Sequence, residues 1–440
     1  MKVLKFGGTS VGSATRMKSV FNIINNGEKK IVVLSAMSGT TNSLLEIAAY
    51  LYKKNPDAAV ELINTLELKY FRTIEHLYDT KEYKAKAMDD LKHHFDYIRS
   101  FTKKLFTLFE EKAIVAQGEL MSTMLFSHYL NEQGLRAVLL PALEFMRVNK
   151  NAEPETQYLR EHLLPMLEAN KDADIFVTQG FICLNAYGEI DNLTRGGSDY
   201  SASLIGAAIG AEEIQIWTDI DGMHNNDPRV VEKTSPVSFL SFDEAAELAY
   251  FGAKILHPTC ILPAKLAKIP VRLLNTMQPE AQGTLISNKT EMHKIKAVAA
   301  KENITAIKIK SGRMLLAYGF LRRVFEIFES YQTPVDMICT SEVGVSMTID
   351  NDKHLNEILD ELKKIGTVSV DKNMVIICVV GDLDWENIGF ESRVIDAVKD
   401  IPVRMISYGG SNHNISLLVK DEDKLRTLRS LSDYLFNNEA

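Results

Sequence analysis

The sequence predicts an α/β protein, with alternating strands and helices over about the first 290 residues and then two copies of a small α+β unit. Three observations carry this. Short apolar runs such as Ile31-Val32-Val33-Leu34 read as buried parallel strands, which need no polar alternation because helices cover both faces. These runs end in small, polar or acidic residues, as loops do at the carboxyl ends of strands, where ligands of open α/β sheets collect. Beyond about residue 295, a strand–helix–strand–strand–helix–strand order appears and then recurs.

Val3-Leu4 opens the first strand, which ends in Lys5-Phe6-Gly7-Gly8-Thr9-Ser10. Two glycines let the chain turn without Cβ atoms in the way. The turn leaves backbone N–H groups pointing outward beside a lysine ammonium, a phosphate cradle. An ordinary turn is the competing reading of this motif taken alone. Neither a Walker A loop nor a dinucleotide fingerprint follows the strand. Lys30 to Ser35 is the second strand, closed by the polar loop Ala36 to Asn42. From about 56 to 115, charged and aromatic residues recur at helical spacing without glycine, which reads as a helical insertion, a solvated arm. Glu119, in Gln117-Gly118-Glu119, reads either as an anion for a substrate ammonium or as an ordinary acid near a helix N-terminus.

Asp174 to Phe181 and Glu213 to Asp219 repeat the strand pattern. Between them, Leu193 to Ala202 holds Arg195-Gly196-Gly197-Ser198-Asp199 ahead of a small, apolar helix. Ser198 and Asp199 are expected as N-caps. Arg195 can grip a carboxylate bidentately, and Asp199 can receive an ammonium, so the segment suits a zwitterion. Thr218-Asp219-Ile220-Asp221-Gly222 and Asp227-Pro228-Arg229 form an acidic turn, read as touching a nucleotide or as a plain polar turn; the other ligands of a calcium loop do not follow. Phe251 to Pro258 reads as a helix end carrying Lys254, with His257 as a structural histidine.

Composition narrows the function classes. The 440 residues are 46% hydrophobic and 25% charged, ordinary for a globular chain of two or three domains. A net charge of −8 argues against nucleic acid as a partner. The four cysteines, Cys183, Cys260, Cys339 and Cys378, lie far apart, so neither a zinc motif nor a disulfide framework is indicated. No apolar run is long enough to span a bilayer and no signal peptide precedes the first strand, so no membrane association and a cytoplasmic setting are expected.

Taken in order, these segments, with Asn275-Thr276 and Gly283-Thr284-Leu285-Ile286, resemble the aspartate kinases over nearly the whole chain. The resemblance implies the amino-acid kinase fold, a mostly parallel sheet between helical layers, over 1–290. It implies transfer of the ATP γ-phosphate, with Mg²⁺, to the β-carboxylate of L-aspartate. By resemblance, Lys5, Gly7, Gly8 and Asp199 serve catalysis, and Ser35, Thr41, Glu119, Phe181, Arg195, Ser198 and Asp199 line the aspartate pocket. Lys5, Gly8, Ser10, Thr218, Asp219, His224, Arg229 and Lys254 serve the nucleotide. His224 departs from the aromatic that relatives often carry there, and no protein ligand for Mg²⁺ is assigned.

The repeat at 295–372 and 373–440 resembles tandem ACT domains, closest to the lysine-sensitive class without a homoserine dehydrogenase half. The second copy lacks its last strand, a place that Lys296 to Ala300 can fill. The resemblance implies an effector pocket of Met314, Gly319, Phe320, Leu321, Asp336, Thr340, Ser341 and Glu342, with L-lysine as inhibitor. Ala317 stands where lysine-inhibited relatives carry serine. A homodimer or dimer of dimers through these domains is implied, their edge strands pairing between copies. A kinase acting on glutamate or a carbamate, and a catalytically silent amino-acid sensor, are the alternatives. The repeat and the 36–42 loop favour aspartate, and intact Lys5, Arg195 and Asp199 favour catalysis.

Overall fold

A computed structural model describes residues 1–440 except 194–195, 253–256, 312–317 and 437–440. The chain runs β1 (Lys2–Phe6), α1 (Ala14–Ile24), β2 (Lys30–Leu34), α2 (Thr40–Tyr52), α3 (Pro56–Leu77), α4 (Lys81–Ser100), α5 (Leu108–Glu132), β3 (Ala137–Leu140), α6 (Ala142–Phe145), α7 (Thr156–Ala169) and β4 (Ile175–Gln179). A hairpin of β5 (Ile182–Leu184) and β6 (Ile190–Asn192) leads to α8 (Gly197–Ile209) and β7 (Ile214–Thr218). Next come β8 (Phe239–Ser241), α9 (Phe242–Tyr250), α10 (Leu262–Ala267), β9 (Val271–Asn275) and β10 (Thr284–Ser287). The last series is β11 (Ile295–Lys310), α11 (Phe320–Ser330), β12 (Ile338–Ser341), β13 (Gly344–Ile349), α12 (Leu355–Lys363), β14 (Thr367–Gly381), α13 (Phe390–Ala397), β15 (Met405–Ser407), β16 (Asn414–Lys420) and α14 (Lys424–Phe436). Among the described residues, no helix is long and apolar enough to cross a membrane.

The chain divides into two compact units, 1–223 with 255–288, and 224–254 with 289–440. In the first, strands run in the order β3-β4-β2-β1-β7-β9-β10, parallel except β10 against β9. β1 sits in the middle, with Lys5 level with Val33 of β2 on one side and Ile216 of β7 on the other. Strand order changes direction at β1, so the loops after β1, β2, β4 and β7 open on one crevice.

The 56–115 region is not a solvated arm. Ile63, Leu66, Tyr70 and Ile74 of α3, and Leu91, Phe95 and Ile98 of α4, are buried in one core with Leu44 of α2 and Leu125 of α5. The charged residues occupy the outward faces, which makes the segment look solvated by composition although one stripe is apolar. α5 is buried almost all round from Ala113 to Leu130, so Glu119 sits in mid-helix, not at an N-terminus.

α8 begins earlier than expected, and neither Ser198 nor Asp199 caps it. The cap is Gly196, with φ of +66°. A Cβ there would fall 1.6 Å from the Cys260 sulfur, so no other residue fits without displacing its neighbours. Ser198 and Asp199 therefore lie in the first helical turn, with side chains available for other partners.

In the second unit, β12-β13-β11-β14-β16-β15 form one antiparallel sheet. The expected strands at 367–370 and 374–380 are a single strand, β14, paired along the length of β11 with register shifts near 301–306. Residues 297–301 pair with 376–380 and supply the strand that the second copy lacks at its end. Ile307, Val324, Phe328, Met347 and Ile358 form one core, and Val375, Ile377, Val379, Val394, Leu417 and Leu431 form a second. The outer strands β12 and β15 approach each other, with the Cys339 thiol 3.1 Å from the Ile406 carbonyl.

Candidate active site

The crevice lies at the carboxyl ends of β1, β2 and β4. After Phe6 the chain turns through Gly7 and Gly8, and a Cβ on Gly8 would fall 2.8 Å from the Ala36 carbonyl. That close approach lets the Ser38 N–H donate to the Gly8 carbonyl at 3.1 Å, joining the loops after β1 and β2. The Gly7 N–H donates to the Trp217 carbonyl at 3.3 Å. The Lys5 ammonium lies 2.7 Å from Asp199 Oδ1, with both side chains largely buried. The glycine loop of β1 and the first turn of α8 thus meet through an ion pair.

A cavity of about 350 Å³ opens here, and its walls include Gly8, Ser35, Thr41, Glu119, Phe181 and Ser198. The Ser35 hydroxyl donates to Ser198 Oγ at 2.9 Å, and the Ser35 carbonyl accepts from Ser122 of α5 at 2.7 Å. Glu119 is 3% exposed, and its Oε1 accepts from the Ala36 N–H at 3.1 Å. Its Oε2 is buried without a hydrogen-bond partner. Burial pushes this carboxyl up to about 7, against the pull of the Ala36 N–H. A buried carboxylate oxygen in a cavity wall is a ready partner for an ammonium. Phe181 holds φ of +67°, an uncommon conformation for an aromatic residue, and its N–H donates to Ser201 Oγ at 2.8 Å.

The structure therefore brings Lys5, Gly7, Gly8, Ser35, Thr41, Glu119, Phe181, Ser198 and Asp199 to one place. Arg195 and Lys254 lie outside the described residues. Thr218 ends β7, where its Oγ1 accepts from the Ile220 N–H at 3.0 Å, and Asp219 is exposed on the turn that follows. Ser10 is fully buried, its hydroxyl 2.7 Å from Thr276 Oγ1. His224 and Arg229 belong to the other unit. There the His224 Nδ1 lies 2.9 Å from Thr234 Oγ1, and Arg229 pairs with Asp227 at 2.7 Å. Among the described residues, no group of three or more His, Cys, Asp or Glu side chains is placed to hold a metal ion.

Of the expected effector residues, Met314 lies outside the described residues. Gly319 caps α11 with φ of +80°, Phe320 is buried, and Leu321, Thr340, Ser341 and Glu342 are exposed. Asp336 differs from Glu342. Its side chain is 1% exposed, and Lys301 Nζ lies 2.7 Å from its Oδ1. The Tyr250 hydroxyl donates to the same oxygen at 3.0 Å, and Lys301 also reaches Asp350 at 2.9 Å. Burial raises the Asp336 carboxyl above its ordinary value, against the pull of Lys301.

Other contacts carried no motif signal. Tyr70 of α3 shares a hydrogen bond with Thr40 Oγ1 at 3.1 Å, and Lys69 donates to the Ser38 carbonyl at 2.5 Å. Both hold the cavity loop from a segment whose composition is that of any amphipathic helix. The regular spacing of Ile63, Leu66, Tyr70 and Ile74 was the one available sign that Tyr70 faces inward.

The profile of the amino acid kinase family matches residues 1–275, and that of the ACT domain matches 377–435. The chain is 37% identical to the chloroplastic aspartokinase 3 of Arabidopsis thaliana, over 100% of this chain and 82% of that protein. It is similar to the crystal structure of E. coli aspartokinase III in complex with lysine and aspartate, with a TM-score of 0.82 at 34% identity over 99% of each chain. It is also similar to that enzyme in complex with aspartate and ADP, with a TM-score of 0.83 at 33% identity over 99% of this chain and 100% of that one. The kinase profile spans more than half of the chain and the Arabidopsis relative is matched over most of its length, so the chain belongs to the aspartokinases of the amino acid kinase family.

Proposed function

We propose that the chain transfers the γ-phosphoryl group of ATP to the β-carboxylate of L-aspartate, giving 4-phospho-L-aspartate and ADP. The observation that carries this reading is Glu119, a buried carboxylate in the wall of a cavity that also includes Gly8, on the loop that follows Lys5. In this reading Glu119 receives the α-ammonium and Arg195 the α-carboxylate, with Ser35, Thr41, Phe181 and Ser198 shaping the pocket. The β-carboxylate is then the free nucleophile. Its pKa of about 4 leaves it ionised at neutral pH, so no general base is required. A carboxylate oxygen forms a bond to the γ-phosphorus as the bond to the bridging oxygen of ADP breaks. Lys5 meets the charge on the transferring oxygens, and Asp199 holds the ammonium in place. The Gly7 N–H is engaged with Trp217, so the loop amide proposed for the phosphoryl group is that of Gly8. Thr218, Asp219, His224, Arg229 and Lys254 are proposed for the nucleotide; Mg²⁺ would be held by its phosphates and would supply positive charge to the transferring group.

L-lysine is proposed as feedback inhibitor at the first ACT unit, through Met314, Gly319, Phe320, Leu321, Asp336, Thr340, Ser341 and Glu342. The catalytic region is taken as 1–290, and the two regulatory units as 295–372 and 373–440. A homodimer or dimer of dimers through the regulatory units, in the cytoplasm, completes the proposal. Lys5→Ala tests the catalytic assignment. It should lower kcat by about 10²-fold or more in a folded protein, because one preorganised charge at the transferring group is lost. Near wild-type kcat would remove Lys5 from the mechanism.

A further inference from the structure

We infer that Thr276 is a positioning residue, which locks the glycine loop after β1 to the end of β7. The inference rests on the kinase reading above, in which that loop meets the phosphoryl group and Thr218 lies on the nucleotide side. Three segments far apart in sequence meet at this threonine. The Thr276 N–H donates to the Thr218 carbonyl at 2.8 Å, and Thr276 Oγ1 donates to the same carbonyl at 2.9 Å. Thr276 Oγ1 also lies 2.7 Å from Ser10 Oγ. Both side chains are buried, Ser10 at 0% and Thr276 at 4% exposure.

The donor count fixes the direction of this chain of bonds. A hydroxyl carries one hydrogen, and that of Thr276 goes to the Thr218 carbonyl, an acceptor only. Thr276 must therefore accept from Ser10, whose own hydrogen is then committed. Ser10 is thus a strut with no hydrogen left to donate to a nucleotide phosphate, although it sits in the glycine-loop motif. The Ser10 N–H in turn donates to the Gly7 carbonyl at 3.0 Å, so the strut reaches the glycine turn itself. A buried hydroxyl pair holds its geometry more firmly than a solvated one. Its effect is to fix the spacing between the phosphate loop and the Thr218–Asp219 turn, and phosphoryl transfer depends on that spacing.

The test is steady-state kinetics of the full chain with aspartate and Mg-ATP for Ser10→Ala, Thr276→Val, Thr276→Ser and the double variant Ser10→Ala/Thr276→Val. Thr276→Val should lower kcat about tenfold and raise the KM for ATP severalfold, with the KM for aspartate within about twofold of wild type. Thr276→Ser should restore most of the loss. Ser10→Ala should match Thr276→Val, and the double variant should be no worse than either single one. If Thr276→Val lowers the melting temperature while kcat and both KM values stay at wild type, the residue is merely structural and the inference fails. It also fails if Thr276→Ser is as impaired as Thr276→Val. Should Thr276→Val not fold, Ser10→Ala decides alone, with wild-type constants overturning the proposal. Lys5→Ala, measured alongside, separates the two levels. Wild-type turnover there overturns the active-site reading and this inference with it, whereas silent clamp variants beside an inactive Lys5→Ala overturn only the clamp.

Discussion

Glu119, proposed to receive the substrate ammonium, is held buried at a cost to the fold. Its carboxyl is raised to about 7 by burial, so the folded state binds a proton that the unfolded chain would release near pH 4.5. Stability associated with this group is therefore present below pH 4.5 and declines as pH rises through about 7. Glu119→Gln keeps the acceptor for the Ala36 N–H and removes the charge. It should raise the melting temperature by a few degrees at about pH 8 and change it little at about pH 5, measured by scanning calorimetry. The same variant should lose the ammonium partner, and with it the acid limb near pH 7 in kcat/KM for aspartate that the wild type should show. Equal melting shifts at both pH values, or an unchanged acid limb, would contradict this assignment. At this scale the motif residues were legible. Lys5 stands at the end of a strand before a glycine turn, and Ser198 and Asp199 open a helix after another glycine pair. Thr276 and Ser122 were not legible as partners, because a buried hydroxyl leaves no pattern in sequence until its acceptor is known.

At the scale of elements, α3 gives the clearest contrast between composition and placement. Its charges suggested an arm in solvent, yet it presses Tyr70 and Lys69 against the loop that opens α2. Tyr70 is fully buried, and burial drives its phenol well above the ordinary tyrosine value, so it remains a neutral partner of Thr40 at any working pH. Tyr70→Phe keeps the packing and deletes the hydroxyl. Losing such a bond costs about 1 kcal/mol, so the KM for aspartate should rise roughly fivefold while the melting temperature falls by only about 2 °C. Steady-state kinetics beside a thermal melt checks both, and an unchanged KM would leave α3 with a packing role alone. The strands of the first unit were legible because a short apolar run bounded by polar turns, with helical spacing on either side, fits a buried strand and little else. The cap of α8 differs from the expected one because Ser198 and Asp199 are good caps locally, and only the tertiary contact of Gly196 with Cys260 moves the helix start upstream.

At the scale of the whole molecule, the repeat announced two copies of one unit and a strand at 296–300 completing the second, but not that β11 and β14 run unbroken through both. β11 and β14 each run through both copies, a continuity that periodicity cannot reveal because a bulge and a turn look alike in sequence. Regulation is proposed to act through this unit, and a ligand shifts an equilibrium only by its differential affinity for two states. An effector ammonium reaching Asp336 meets a carboxylate already paired with Lys301, whereas Glu342 is exposed. Glu342→Ala should therefore raise the lysine concentration for half-inhibition at least about tenfold, read from lysine titrations at fixed substrate. Inhibition that is purely competitive with aspartate and unaffected by the change would contradict the allosteric reading. The central claim is the reaction itself, and hydroxylamine trapping tests it most directly. With L-aspartate, Mg-ATP and hydroxylamine, the chain should form the β-hydroxamate of aspartate in an ATP-dependent manner, with none from glutamate and little from Lys5→Ala. No hydroxamate from aspartate, or hydroxamate from glutamate in its place, would contradict the account.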